Sequence, residues 1–174
     1  QSHTGEGAFA TLPIPGDEII VEYSQGPDVT GKPKLQIAAV NHDYKNLFGP
    51  SLLKTGKFGD SHTCQVDMSC INGSYPEEKA VVRLIVDGTE VCTGTLVNNT
   101  KKDGTPYFIT ASHCLRSELS SHSFLFLFNY QVPNWQTHIE GYKAQSLSGG
   151  TIVANIGNMD CLLVKSDQTP PPAY

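Results

Sequence analysis

His113 stands directly before Cys114, and Cys92 lies about 20 residues upstream. The stretches that hold them, Val91-Cys-Thr-Gly-Thr-Leu-Val97 and Tyr107-Phe-Ile-Thr-Ala-Ser-His-Cys114, read as neighbouring β-strands. Cys92 falls near the start of one, Cys114 just past the end of the other. A Cys92–Cys114 disulfide would close a loop of roughly 20 residues, worth about 3 kcal/mol in the chain-entropy picture. It would also fix His113 at a strand end. A histidine held rigidly at the rim of a barrel is how a general base is positioned. The same residues equally describe a core histidine beside a structural disulfide, and from the residues alone both readings stand. Cys114 makes a poor nucleophile, because adjacent strand residues face opposite ways and the bridge uses its sulfur. Cys161 is a candidate free thiol with no activating neighbour in the sequence.

Composition narrows the chemistry further. The chain has 174 residues, 12 Lys+Arg against 17 Asp+Glu, a formal charge of -5 and a pI near 5.6. It has no basic block, which argues against nucleic acid and anionic membrane surfaces as partners. The most apolar run, Phe124-Leu-Phe-Leu-Phe128, is far too short to span a bilayer. The five cysteines, Cys64, Cys70, Cys92, Cys114 and Cys161, lack the paired short spacings of a zinc ribbon, so neither a metal nor any other cofactor is expected. Their odd number leaves at least one thiol unpaired or bridged outside the chain. Asn72-Gly73-Ser74 and Asn98-Asn99-Thr100 are glycosylation sequons, with Asn72 and Asn98 as acceptors. Gln1-Ser-His-Thr-Gly5 has no secretory leader's basic start or apolar core. A disulfide implies an oxidising compartment, and hence a secreted or cell-surface protein.

The elements that must position these residues are short strands. Leu12-Pro-Ile-Pro-Gly16 excludes helix. In Asp17–Tyr23, Ile19, Val21 and Tyr23 alternate with Glu18 and Glu22, which predicts a half-buried strand, and Leu35–Val40 reads as a second. Gly49–Asp60 is polar and glycine-dotted, a candidate boundary. Beyond it, Lys79–Val86 sets Ala80, Val82, Leu84 and Val86 against Val81, Arg83 and Ile85. Asp87-Gly88 is a hairpin turn needing positive φ at both positions, and Glu90–Val97 is the return strand. Pro106–Ala111, Phe124–Gln131, His138–Ser146, Thr151–Asn155 and Cys161–Lys165 are further strands, with Phe124, Phe126 and Phe128 as barrel core. Only Cys114–Ser121 suits a helical turn. Closely spaced strands between turn signals make an all-β barrel or sandwich.

Cys92-Thr-Gly-Thr-Leu-Val-Asn-Asn99 followed by Phe108-Ile-Thr-Ala-Ser-His-Cys114 resembles the trypsin-like serine proteases. The Leu-Val-Asn-Asn-Thr continuation, the Pro-Tyr-Phe approach, the Cys64-x5-Cys70 pair and Phe124–Tyr130 resemble the bacterial lysyl-endopeptidase branch most closely. The likeness covers roughly residues 61–167. Segment 12–48, with Pro-Gly-Asp-Glu-Ile-Ile-Val-Glu-Tyr and Val40-Asn-His-Asp-Tyr44, resembles more weakly the β-rich region preceding the protease in bacterial members.

The resemblance implies that His113 is the general base and that Asp160, opening the D-x-x-L-L-like Asp160-Cys-Leu-Leu-Val164, is its orienting carboxylate. No G-[DN]-S-G-[GS] loop occurs. Ser148, in Ser146-Leu-Ser-Gly-Gly150, precedes Asp160, against the family's order of histidine, aspartate, serine, and is expected in a hairpin loop instead. The nucleophile would then come from a second barrel, linked through Cys64. No counterpart stands in 129–141 for the partner that the branch gives Cys70, which leaves Cys161 as its in-chain substitute. His42, His62, His122 and His138 show no ligand spacing and are expected to be solvent-facing or locally hydrogen-bonded.

The resulting division is a β-rich pro-region or extension over 1–60, a chymotrypsin-like first barrel over 61–168, and the start of an inter-barrel linker over 169–174. Lys57-Phe58 fits either a processing site or a plain linker lysine. The function implied is peptide-bond hydrolysis by acyl transfer on a polypeptide substrate, made as a zymogen, with lysine preference implied by the branch alone; a separate reading makes 1–60 an inhibitory or chaperoning pro-domain that covers the cleft. The chain alone, lacking the nucleophile, would be inactive. The rival is a non-catalytic β-barrel binding or surface-interaction module.

Overall fold

The computed structural model describes residues 10–31, 35–37, 39–42, 66–71, 75–116, 122–131 and 145–174. Seven strands form one antiparallel sheet: β1 Val81–Val86, β2 Glu90–Val97, β3 Tyr107–Thr110, β4 Phe124–Phe128, β5 Ser146–Ser148, β6 Gly150–Ile156 and β7 Cys161–Ser166. Their order across the sheet is β5-β4-β1-β2-β3-β7-β6. The two edge strands, β5 and β6, are consecutive in the chain and separated by Gly149 alone. Its N–H donates to Phe124 O at 2.9 Å on one side, and its carbonyl accepts from Asp167 N at 3.3 Å on the other. The two ends of the sheet thereby meet at this corner, where the chain passes from its pairing with β4 to its pairing with β7. This is the all-β barrel that the resemblance implied.

Closure depends on a glycine corner. Gly149 has φ +94°, and a Cβ there would lie 2.7 Å from the Asp167 carboxylate. A Cβ on Gly150 would lie 3.0 Å from a Val164 methyl and 3.1 Å from Lys165 O. Gly149→Ala should cost about 1–3 kcal/mol, mainly through the left-handed backbone and less through the mobile carboxylate. The urea midpoint of the variant measures this; an unchanged midpoint would mean that the corner can relax.

Period-two patterning explains the interior. Val82, Leu84 and Val86 of β1 face inward with Phe108, Phe124, Phe126, Phe128, Leu147, Leu162 and Val164, forming one buried cluster. The Phe108 ring lies 4.3 Å from Phe126 and 6.0 Å from Phe128, centroid to centroid. Full burial of each such side chain is worth about 1.5–3 kcal/mol. The β1–β2 turn has Asp87 at φ 52° and Gly88 at φ 69°, the conformation the Asp-Gly pair predicts. Asp87 also anchors the chain leading into β4: its carboxylate accepts from Ser123 N at 2.9 Å and contacts His122 Nδ1 at 2.8 Å, so His122 is locally hydrogen-bonded.

Several expectations need correction. Residues 17–23 form no strand, nor do the described residues of 35–40; Ile20 is 90% and Val40 76% exposed. Their alternation suits a pleat, but a ladder needs a partner strand, and none of the described residues pairs with them. Ser148 ends β5 rather than standing in a loop, because the Gly149 corner comes directly after it. A 3-10 turn covers Ser112–Cys114, and residues 117–121 of the helical turn expected over Cys114–Ser121 lie outside the described residues. Within residues 169–174, the Tyr174 ring lies 4.7 Å from Phe128 and its hydroxyl is bonded to Gln145, contacts that leave the linker expectation standing. The Gly49–Asp60 boundary, Lys57-Phe58, Cys64, His62, Asn72, His138 and most of the strand expected over 138–146 lie outside the described residues.

Candidate active site

His113 rides on the 3-10 turn after β3. The turn closes by Cys114 N donating to Ala111 O at 3.3 Å and Leu115 N to Ser112 O at 3.0 Å. His113 is thus not on a strand, and strict alternation does not explain why it and Cys114 diverge. With three residues per turn, successive side chains fan out around the axis, so Cys114 is sealed at 1% exposure while the His113 side chain is 63% exposed. Cys114 and Cys92 are bridged, with a Cα–Cα distance of 6.3 Å. The bridge packs into the main core and staples the histidine turn to β2.

Asp160 arrives from the β6–β7 turn. Gly157–Met159 forms a 3-10 turn capped by Asp160 in the left-handed region (φ 50°, ψ 42°), a conformation that aspartate tolerates better than bulkier residues. The pairing of β3 with β7, Thr110 opposite Leu162, brings the start of β7 beside the histidine turn. His113 Nδ1 and Asp160 Oδ2 lie 2.7 Å apart, and the backbone N–H of His113 donates to Asp160 Oδ1 at 2.9 Å. The carboxylate therefore holds both the ring and the backbone of one residue. A second brace joins the same two turns, with Ser112 Oγ donating to Asn155 Oδ1 at 2.5 Å. The sequence did not flag Ser112 or Asn155; only the β3–β7–β6 register reveals that they meet.

The backbone N–H of His113, then its side chain, hold the Asp160 carboxyl below the usual aspartate range. The charged form of Asp160 therefore favours the fold at every pH above the ionisation of an unfolded aspartate, about 4. That contribution fades as pH falls through the lowered folded-state value. In urea unfolding, the stability gap between the native chain and Asp160→Asn should stay constant above pH about 5 and close progressively below pH about 4. A gap independent of pH down to strong acid would contradict the pairing.

With Nδ1–H donated to the carboxylate, the ring's other nitrogen, Nε2, is its acceptor. The pair can therefore take a proton from a nucleophile and stabilise the resulting imidazolium. Cys92, His113 and Cys114 place their donor atoms within 4.8 Å of one another, but both sulfurs are spent in the disulfide and do not make a ligand set. Cys70 and Cys161 are free thiols, as one reading of Cys161 has it, and the substitute pairing of the two is not formed. Ser148 is engaged with Ala10, at 3.1 Å from its N–H and 2.7 Å from its carbonyl, and no contact joins it to His113 among the described residues. Asn98 is exposed at the end of β2. Asp103 orders the adjoining loop: it accepts from Thr105 Oγ1, then Asn99 and Thr105 N, which pull its carboxyl down to about 2.

Residues 58–174 match the family model described as lysyl endopeptidase, C-terminal domain. The chain is also 27% identical over 175 residues to a lysyl endopeptidase of Pseudomonas aeruginosa, an alignment covering 91% of this chain. The chain spans about 37% of that relative's length.

Proposed function

The chain belongs to the lysyl endopeptidase family, and from that premise we propose that it supplies the first barrel of a serine endopeptidase, with His113 as general base and acid and Asp160 as its orienting carboxylate. The observation that carries this reading is the two-point hold of Asp160 on His113, ring at 2.7 Å and backbone at 2.9 Å. It is the geometry that fixes a histidine tautomer for acyl transfer.

The serine, the oxyanion-hole amides and the specificity pocket belong to a second barrel in this proposal, with Cys64 as a candidate link. Exposure supports the missing cover. The side chains of His113 and Asp160 are 63% and 53% exposed, whereas such an aspartate works buried. Ile156 at the end of β6 and Met159 in the β6–β7 turn are 44% and 73% exposed and offer an apolar seat next to the pair. Residues 61–168 form the barrel unit and 1–60 an extension ahead of it, made as a zymogen for an extracytoplasmic compartment where the Cys92–Cys114 bridge survives.

The substrate class is polypeptide, and the preferred residue before the scissile bond is lysine. A peptide series differing only at that position tests the specificity on the protease that contains this chain. Rapid cleavage after lysine and slow cleavage after the uncharged isostere norleucine is expected. Equal cleavage of both would remove lysine preference, and no cleavage of any peptide would remove the endopeptidase reading.

A further inference from the structure

β4 is buried on both faces, which a barrel strand with one solvent face would not be. Phe124, Phe126 and Phe128 point into the core, yet Leu125 and Leu127, pointing outward, are 1% and 0% exposed. The register places Ser148, Leu125 and Ile85 in one row across the outer faces of β5, β4 and β1. Ile85, Leu125 and Leu127 form a second buried cluster, covered by Leu12 and Tyr130. Two residues before Leu12, the backbone of Ala10 is bonded in both directions by one side chain: its N–H donates to Ser148 Oγ at 3.1 Å, and its carbonyl accepts from that hydroxyl at 2.7 Å. The same segment meets the barrel again where Asn41 Nδ2 donates to Asp87 O at 3.2 Å in the β1–β2 turn.

We propose that the outer face of β5–β4–β1 is a peptide-docking surface whose occupant is this chain's own segment around Ala10–Leu12, and that it holds the segment without needing the covalent connection through residues 43–65. Recognition is by the backbone of one residue, whose N–H and carbonyl are both bonded by Ser148, and by an aliphatic side chain two residues on. Ala10 is thus held through its backbone while Leu12 covers the apolar row. This surface is separate from the His113–Asp160 pair, which sits on the turns after β3 and before β7 and stays exposed. The described part of the N-terminal segment thus packs on the barrel wall, away from the pair.

The test uses the full chain with a recognition site for a sequence-specific protease inserted after Pro50. After cutting, the N-terminal fragment should co-elute with the barrel in size exclusion at micromolar concentration, and Leu12→Asp should release it. In the uncut chain, hydrogen exchange should show a protected Ala10 amide, exchanging about tenfold faster in Ser148→Ala, as loss of a single hydrogen bond implies. Release of the fragment from the cut native sequence, with or without loss of the barrel, overturns the proposal. So does retention that Leu12→Asp leaves intact, or an Ala10 amide that exchanges freely or is unmoved by Ser148→Ala.

Discussion

Asp160→Asn should lower kcat of the protease containing this chain by about 10⁴-fold while leaving KM and the barrel fold largely unchanged. Asp160 accepts two hydrogen bonds from His113, one from the ring and one from the backbone. Asparagine keeps one accepting oxygen. If that oxygen stays on the backbone N–H, its amide group faces Nδ1 and donates to it, which moves the imidazole proton to Nε2. A ring protonated there cannot take the nucleophile's proton. His113→Ala should cost at least as much, and adding Asp160→Asn to it should cost little more, because the two residues act as one unit. Steady-state kinetics on the three variants measures this. A loss below about tenfold for Asp160→Asn would assign the aspartate to the turn alone.

Replacing Cys92 and Cys114 together by alanine should remove about 3 kcal/mol of stability. The bridge spans 22 residues of sequence and packs into the main cluster, so the substitution loses the loop constraint and leaves a gap in that cluster. It also frees the turn that carries His113, and activity should fall further than stability alone accounts for. Chemical unfolding of the oxidised protein, the reduced protein and the double variant gives the comparison. A cost under about 1 kcal/mol would show that β2–β3 pairing holds the turn without the bridge.

The features legible in the sequence were those set by physical period and by local chemistry. Period-two alternation in Val81–Val86 named its inward face, and Asp87-Gly88 named the turn, because few other residues accept positive φ. The inward Phe124, Phe126 and Phe128 were legible for the same reason. His113, Cys92 and Cys114, and Asp160 after them, stood out through the family resemblance of their motifs. Long-range pairing was hidden. Ser112 and Asn155 are 43 positions apart and meet only through the β3–β7–β6 register. The outward burial of Leu125 and Leu127 depends on Leu12, more than 100 residues earlier. The alternation in Asp17–Tyr23 misled, because pattern specifies a pleat but not the partner strand that a ladder needs.

If this barrel supplies base and orienter to a serine located elsewhere, that serine should be open to covalent capture. A fluorophosphonate probe, which labels activated serines, reports on this in the protease containing this chain, followed by mapping of the labelled residue by mass spectrometry. A single labelled serine outside residues 1–174 is expected, with labelling abolished in His113→Ala and strongly slowed in Asp160→Asn. A label on Ser148 or another serine of this chain, or labelling that His113→Ala leaves unchanged, would contradict the assignment of His113 and Asp160 to a nucleophile beyond this barrel.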